Sequence, residues 1–218
     1  MKSIFDSYRG IVFDFNGTLF WDTPLHNAAW FEYCEKYGIH LTPEIMFRKY
    51  HGKTNEMIFD AMFEGKLSLE EIGRRSIEKE LMYQAICLQG EMALAPGAEV
   101  FLDALKERNF PFTIATASIQ LNVDFYYEHL NLARWFPYDK IIFNDGTLPG
   151  KPDPTVYLKA MEILGCAPEE TLIFEDSSSG LRAAMNAKAG GIIIVNSNDD
   201  DYSDYPFPQI KDFSTLLP

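Results

Sequence analysis

Short apolar runs alternate with helical patterns over most of the chain. Five of these runs have the length of a strand, and they lie at residues 10–13, 111–115, 139–143, 171–174 and 191–195. Strands that are apolar throughout and alternate with helices indicate a parallel sheet covered on both faces. The pattern therefore predicts an α/β fold built on a parallel sheet.

The stretch from about 22 to 90 has a different pattern, which is helical throughout. Thr23-Pro24 predicts a helix start with Thr23 as the cap, and Ser68 with Glu71 has the spacing of a capping box. The helix after Ser68 repeats apolar residues that indicate one face: Ile77, Leu81, Ala85 and Leu88. We expect a helical domain at 22–91 and a sheet domain formed by 1–21 and 92–218.

Polar residues follow the predicted strands, where parallel sheets place their ligands. They are Asp14, Asn16, Gly17, Thr18, Thr116, Ser118, Lys151, Glu175 and Asp176. Each of them alone also fits a helix cap or an exposed loop, but four strand ends remote in sequence converge on one edge. Three carboxylates at one edge repel each other, and a divalent cation bound through oxygen relieves that repulsion. The hydroxyl, ammonium and backbone N–H groups suit a phosphate, so the edge predicts magnesium-assisted phosphoryl transfer.

Composition and charge exclude several functional classes. The 218 residues carry a net charge of −13, which opposes binding to nucleic acid. No apolar run approaches the ~18 residues that cross a bilayer, and the N-terminus lacks the apolar region of a signal peptide. The three cysteines have no metal-like spacing. We expect a cytoplasmic protein without a nucleic-acid or membrane partner, and we expect the acidic run at 199–201 to be a solvated loop.

Four motifs in the chain resemble those of the haloacid dehalogenase superfamily. Asp14-Phe15-Asn16-Gly17-Thr18 is similar to the first motif, whose usual form is Asp-x-Asp-Gly-Thr, and Thr116 after an apolar strand resembles the second. Gly150-Lys151-Pro152-Asp153-Pro154 resembles the third, and Phe174-Glu175-Asp176 with the residues up to Ala184 resembles the fourth. All four occur in the family's order. A helical insertion after the first motif is similar to the β-phosphoglucomutase-like branch.

The resemblance implies a Rossmann-like core with a helical cap at 22–91, and it implies a role for each matching residue. Asp14 would be the nucleophile that forms an aspartyl-phosphate. Asp14, the backbone carbonyl of Asn16 and Asp176 would hold Mg²⁺, with Glu175 joining or supporting them. The phosphoryl group would be held by Thr116, Ala117 and Lys151, and Gly17 would allow the turn beneath it.

Asn16 departs from the family pattern, which has an acid at this position. That acid protonates the leaving oxygen and then activates water, whereas an amide can only donate and accept hydrogen bonds. General acid–base catalysis is commonly worth ~10²–10⁴ in rate. We therefore expect a weak phosphatase that favours good leaving groups. His26 is a candidate for a compensating group and for substrate contact, although a surface histidine is the alternative.

A second departure lies in the predicted cap. The sugar-phosphomutase pattern has an Arg three residues after a cap glycine, where it binds a second phosphate, and here Asn55 follows Gly52 at that spacing. A phosphomutase is therefore disfavoured, as are a dehalogenase and a phosphonoacetaldehyde hydrolase built on Lys53. His51 and Lys53 remain candidates for substrate contact.

Two hypotheses of different classes follow. The first is a phosphatase of a small phosphorylated metabolite, and the alternative is a protein that binds metal and a phosphorylated ligand with little turnover. The pattern does not distinguish a monomer from a dimer, nor does it identify the substrate.

Overall fold

The structure is a computed structural model, and it describes residues 4–50 and 53–217. Its core is a parallel sheet of six strands in the order β3-β2-β1-β4-β5-β6. The strands are β1 (Gly10–Phe13), β2 (Phe112–Ile119), β3 (Ile142–Asn144), β4 (Thr171–Glu175), β5 (Gly191–Val195) and β6 (Gln209–Ile210). The predicted α/β fold with a Rossmann-like parallel sheet is confirmed.

Helices connect the strands and form the segment between β1 and β2. They are α1 (Ile4–Ser7), α2 (Thr23–Lys36), α3 (Pro43–Ile45), α4 (Asn55–Met62), α5 (Leu69–Cys87), α6 (Ala98–Glu107), α7 (Gln120–His129), α8 (Thr155–Leu164) and α9 (Ser178–Asn186). A π-helical turn at Met46–Tyr50 continues α3. Among the described residues, no helix has both the length and the apolar character to cross a membrane.

Alternating side chains of β1 separate the core into two layers. Ile11 and Phe13 pack into a cluster that includes Phe101 of α6 and Val123 of α7. Val12 points to the opposite face and packs with residues of α8 and α9. Successive side chains of a strand point to opposite faces, so a strand buried on both faces must be apolar at every position. This explains the uninterrupted apolar run at 10–13.

The helices α2 to α5 enclose a third apolar cluster that is separate from the two layers beside the sheet. Its buried members are Trp30, Tyr33, Cys34, Met46, Tyr50, Ile58, Phe59 and Ile72. Thr54 caps α4, since its hydroxyl accepts a hydrogen bond from the Met57 N–H. The Ser68–Glu71 capping box of α5 is also confirmed. The domain limits at 22–91 stay a prediction.

Three local predictions are wrong. The cap position of α2 is Asp22 rather than Thr23, and it has no side-chain capping bond. The predicted apolar face of α5 is turned outward, because Ile77, Leu81 and Leu88 are 50%, 52% and 58% exposed. The strand predicted at 139–143 begins only at Ile142, because 138–140 form a 3₁₀ turn. Beyond these corrections, α7 and the short strand β6 were not predicted.

Candidate active site

Asp14 and Lys151 form the centre of the site at the carboxyl edge of the sheet. Asp14 follows the last residue of β1, and the backbone N–H of Asp14 donates to the Phe174 carbonyl of the neighbouring β4. The Lys151 amine donates to Asp14 Oδ1 and to Glu175 Oε1, both at 2.6 Å. All three side chains are buried. One ammonium group therefore pairs with two carboxylates from adjacent strands.

Burial and charge shift the pKa values of this pair. Burial raises the pKa of Asp14 well above its usual value; Glu175 and Asp176 raise it further, whereas Lys151 lowers it. Burial alone lowers the pKa of Lys151, but Asp14 and Glu175 outweigh that effect and raise the pKa above its usual value. The site therefore carries more negative than positive charge. An added cation would favour the ionised form of Asp14.

Asp14, Glu175 and Asp176 offer oxygen atoms that lie within 4.8 Å of one another. The Thr18 hydroxyl donates to Asp176 Oδ1 at 3.1 Å, and the Tyr202 hydroxyl donates to the Asp176 backbone carbonyl. Clustered carboxylate oxygens are the ligands that Mg²⁺ prefers. The residues present therefore fit a hard divalent cation.

Glu175 is held by several protein donors besides Lys151. The Tyr157 hydroxyl donates to Glu175 Oε1 at 2.9 Å, and the Ser177 N–H donates to Oε2 at 2.6 Å. A Cβ at Gly180 would overlap the Glu175 carboxylate. The carboxylate thus lies against the first turn of α9 with its position fixed on several sides.

Gly17 lies beneath the Asp176 carboxylate in the turn after β1. Its φ is +77°, which L side chains rarely adopt, and a Cβ there would overlap Asp176 Oδ2. The Gly17 N–H donates to Asp22 Oδ1 at 3.0 Å. The same N–H donates to the Phe20 carbonyl at 2.7 Å, so the predicted tight turn is present, but its N–H is engaged within the chain.

Asn16 has its amide fully engaged. Its Nδ2 donates to Asp22 Oδ2 at 2.5 Å and to the Tyr126 hydroxyl at 2.8 Å. Its Oδ1 accepts from the Ser118 hydroxyl at 2.6 Å and from the Thr116 hydroxyl at 3.4 Å. Because an amide has two N–H donors, these contacts fix its orientation. A carboxylate is still adjacent to position 16, but it belongs to Asp22.

A cavity of about 120 Å³ lies between this edge and the helices α2, α4 and α5. It is lined by the predicted residues Asp14, Asn16, His26, Thr116, Ala117, Lys151 and Asp176, and also by Lys53 and Asn55. Glu175 and Gly17 are not in its lining but contact residues that are. His51 and Gly52 lie outside the described residues. The structure thus brings the predicted residues together around one cavity.

A profile of the haloacid dehalogenase-like hydrolases matches residues 11–194. The chain belongs to this family. A "Phosphorylated carbohydrates phosphatase" of Thermotoga maritima is 30% identical over 197 residues, which cover 88% of each chain. "Hexitol phosphatase A" of Escherichia coli is 28% identical, with 88% of this chain and 85% of the relative covered. A haloacid dehalogenase hydrolase of Entamoeba histolytica has a similar structure, with a TM-score of 0.85, 35% identity, and coverage of 95% and 94%.

This hydrolase chain has a second buried polar network that the sequence pattern did not reveal. His26 Nε2 lies 3.4 Å from Asp22 Oδ2, and His26 Nδ1 lies 3.0 Å from the Lys79 amine. Lys79 pairs with Glu80 at 2.9 Å, and both side chains are at most 4% exposed. Adjacent charged residues on a helix usually indicate a solvent-exposed face. The one signal in the sequence that Lys79 and Glu80 are buried is their helical spacing from Ile72 and Tyr83.

Glu80 joins the helical segment to the sheet layer. It accepts hydrogen bonds from Asn55 of α4 and from Asn122 of α7, both at 2.6 Å. Burial alone raises the pKa of Glu80, but Lys79, His26 and the Asn122 amide lower it to about 2. Glu80 therefore remains ionised although it is almost completely buried.

Proposed function

We propose that the protein is a magnesium-dependent phosphatase of a small phosphorylated metabolite. The observation that carries this proposal is the Asp14–Lys151 pair beside Asp176, in the lining of one cavity. The family membership and the phosphatases named among its relatives support the same reaction class.

Asp14 would attack the phosphorus atom and form an aspartyl-phosphate while the ester oxygen departs. The Lys151 amine would orient Asp14, because it already donates a hydrogen bond to Asp14 Oδ1. Its positive charge would also pair with the phosphoryl oxygens. The Thr116 hydroxyl and the Ala117 backbone would bind the transferred group from the adjacent strand. These groups are fixed before substrate arrives, which is how charged groups stabilise a transition state most effectively.

Asp14, the carbonyl of Asn16 and Asp176 would hold Mg²⁺. A bound Mg²⁺ would neutralise charge on the phosphoryl oxygens and on Asp14. Glu175 would support rather than ligate, since its oxygens already accept hydrogen bonds from Lys151, Tyr157 and Ser177.

Asn16 cannot carry the proton of the leaving group, so another residue must do so or the group must leave as an anion. His26 is the imidazole in the cavity lining, and its Nε2 lies 3.4 Å from Asn16 Nδ2. We assign His26 as the group beside Asn16 that faces the leaving group of the substrate. The proposal therefore expects slow turnover that is fastest with good leaving groups.

The second candidate function is a protein that binds metal and a phosphorylated ligand without turnover. The observation that favours it is the closed hydrogen-bonding of Asn16, whose amide is satisfied by Asp22, Tyr126 and Ser118. An amide with both donors engaged offers little to a departing oxygen.

Phosphate release from p-nitrophenyl phosphate and a metabolite panel distinguishes the two candidates. The variants are Asp14→Asn, Asn16→Asp, and the double variant Asn16→Asp with Asp22→Asn. We expect wild-type turnover with Mg²⁺ that Asp14→Asn abolishes. Asn16→Asp alone would place two carboxylates at the 2.5 Å contact with Asp22, so the double variant is the better gain-of-function test. Turnover that appears only in the two variants carrying Asn16→Asp would favour the binding protein.

A further inference from the structure

The peptide unit between Asp176 and Ser177 is held at both of its ends. Its N–H, which belongs to Ser177, donates to Glu175 Oε2 at 2.6 Å. Its carbonyl, which belongs to Asp176, accepts a hydrogen bond from the Tyr202 hydroxyl. Because a peptide unit is planar, these two contacts fix the ψ dihedral of Asp176. The direction in which the Asp176 side chain leaves the backbone is thereby restricted.

The Asp176 carboxylate itself contacts the turn after β1. The Thr18 hydroxyl donates to Asp176 Oδ1 at 3.1 Å, and a Cβ at Gly17 would lie 2.1 Å from Asp176 Oδ2. The Thr18 hydroxyl therefore orients the carboxylate, whereas the Tyr202 hydroxyl orients the backbone from which the carboxylate projects. Two contacts from separate parts of the chain thus act on one candidate Mg²⁺ ligand.

Tyr202 lies in the loop between β5 and β6, and hydrogen bonds within this loop fix its path. The Asn196 amide donates to the Asp200 carbonyl and to Gln209 Oε1, both at 3.0 Å. Asn196 Oδ1 in turn accepts from the Asp200 N–H at 2.9 Å. Asn196 thus joins the start, the middle and the end of the loop. The Tyr202 side chain is buried in the apolar cluster that includes residues of α8 and α9, so its hydroxyl reaches Asp176 from a fixed position.

We propose that Tyr202 is a positioning residue for Asp176, and that the β5–β6 loop strengthens Mg²⁺ binding through this hydroxyl group. The proposal rests on the Mg²⁺ ligands of the proposed function and adds a residue that lies outside the range 11–194 matched by the family profile. A ligand that is already oriented loses less conformational freedom when the cation binds. Removing a hydrogen-bonding partner of a metal ligand commonly lowers metal affinity by roughly 10–100-fold.

The test is Tyr202→Phe, which removes the hydroxyl and keeps the ring, in the full chain. Calorimetry measures the Kd for Mg²⁺ without substrate, and we expect it to rise about tenfold. The Mg²⁺ activation constant for p-nitrophenyl phosphate hydrolysis should rise by the same factor. At saturating Mg²⁺ we expect kcat within about twofold of the wild type, because the lost contact is to the Asp176 backbone and not to the reacting groups. An unchanged Kd for Mg²⁺ would overturn the proposal.

Tyr205→Phe is the matched control in the same loop. The Tyr205 hydroxyl donates to the Ser178 carbonyl at 3.4 Å, which lies outside the peptide unit that follows Asp176. We expect this variant to keep its Kd for Mg²⁺ within about twofold of the wild type, since so long a hydrogen bond is weak. An equal rise of the Kd in both variants would contradict the assignment to the Asp176 carbonyl.

The Tm without Mg²⁺ separates positioning from general destabilisation. Differential scanning fluorimetry of the metal-free protein measures it for Tyr202→Phe. A lowered Tm together with the wild-type Kd for Mg²⁺ would mean that the hydroxyl only stabilises the fold, and it would overturn the proposal. Asn196→Ala loosens the loop without changing Tyr202, and it should raise the Kd for Mg²⁺ about threefold or more. If Tyr202→Phe does not fold, a wild-type Kd in Asn196→Ala overturns the proposal.

The same measurements distinguish this proposal from the phosphatase function. A raised Kd for Mg²⁺ in Tyr202→Phe, with no ester hydrolysed by the wild type, would retain the role of Tyr202 and reject the phosphatase. Turnover that depends on Asp14, with equal Kd values for Mg²⁺ in the wild type and Tyr202→Phe, would retain the phosphatase and reject the role of Tyr202. A wild-type chain that binds no Mg²⁺ would overturn the proposed ligands and this role with them.

Discussion

Single residues of the site are governed by buried charge. Asp14 and Glu175 share one ammonium group, that of Lys151, and Asp176 lies beside them. Burial raises the pKa of Asp14, and the charges of Glu175 and Asp176 raise it further. A cation at their shared edge would relieve this excess of negative charge. The stability of the protein should therefore respond to Mg²⁺ even without substrate.

Mg²⁺ should raise the Tm, and Asp176→Asn should remove most of that increase. A ligand at one hundred times its Kd stabilises the folded state by about 2.7 kcal/mol, which corresponds to several degrees in Tm. Differential scanning fluorimetry with and without Mg²⁺ measures it. Asp204→Asn, at an exposed acid, is the control that should retain the response. An Asp176→Asn protein with the full response would exclude Asp176 as a ligand.

Sequence reasoning reached part of this residue-scale picture. Asp14 and Asp176 could be predicted because each directly follows an apolar strand. Thr116 in β2 and Lys151 after the β3 loop could be predicted because the carboxyl ends of parallel strands converge on one edge. Asp22 could not, because its contact with Asn16 depends on how the chain turns back after Gly17. The hydrophobic pattern predicts which helix or strand a residue belongs to. It does not predict the path of a turn, on which the contact between Asp22 and Asn16 depends.

Helix α9 shows how an element fixes a buried carboxylate. Its glycine at position 180 leaves space for Glu175, which a methyl group would displace. Helical glycines normally destabilise relative to alanine by up to about 1 kcal/mol. The packing at Gly180 reverses that preference.

Gly180→Ala should lower the free energy of unfolding by about 1–3 kcal/mol and reduce kcat, because overpacking shifts Glu175. Gly73→Ala in α5 is the matched control, since its Cβ would meet nothing within 4 Å. It should stabilise the protein by about 0.5–1 kcal/mol with unchanged kcat. Urea unfolding and steady-state kinetics measure both. Similar stability changes in the two variants would contradict the role of close packing.

Helix α5 was predicted with the wrong face inward, and the reason is physical. Its inward face carries Ser76, Lys79 and Glu80, and partners on α2, α4 and α7 satisfy the two charged residues, which makes their burial possible. A periodicity argument takes apolar residues as the buried ones and cannot count partners on other helices. The exposed Ile77 and Leu81 show the limit of that rule.

Glu80→Gln should cost about 3 kcal/mol of unfolding free energy at pH 7, since it leaves Lys79 buried without its counter-charge. The folded pKa of Glu80 is lowered to about 2 from a usual 4.5, so its stabilisation is present above pH 4.5 and declines as pH falls toward 2. Urea unfolding at several pH values should show the difference from wild type narrowing from pH 6 to pH 3. Glu78→Gln, in the exposed pair with Lys36, should cost at most about 1 kcal/mol. A difference that grows on acidification would refute this account.

At the scale of the whole molecule, the strand order explains why the site could be predicted. β1 lies between β2 and β4, so Asp14 is flanked by strand ends from residues about a hundred or more positions away. Alternating strands and helices predict a parallel sheet. A parallel sheet in turn places the carboxyl ends of its strands, and the residues that follow them, at one edge. How the helices at 23–87 lie over that edge depends on side-chain packing, which the alternation does not specify.

The net charge of −13 should slow the capture of anionic substrates. Raising the ionic strength from 0.01 to 0.1 M shortens the Debye length from about 30 Å to about 10 Å. We expect kcat/KM for a dianionic phosphate ester to rise about two- to threefold at constant free Mg²⁺, with kcat unchanged. Steady-state kinetics over this range measures it, and a fall in kcat/KM would show that local positive charge outweighs the net charge.

The cavity lining includes four residues from one stretch of sequence, residues 30–58: Trp30, Met46, Tyr50 and Ile58. The lining residues at the sheet edge, Asp14, Thr116, Lys151 and Asp176, come from four separate segments. A recombination event that exchanges this stretch between related genes would replace that part of the cavity lining in one step and leave Asp14, Thr116, Lys151 and Asp176 in place. Related genes can therefore diverge in the shape and polarity of the cavity while the residues at the sheet edge stay the same.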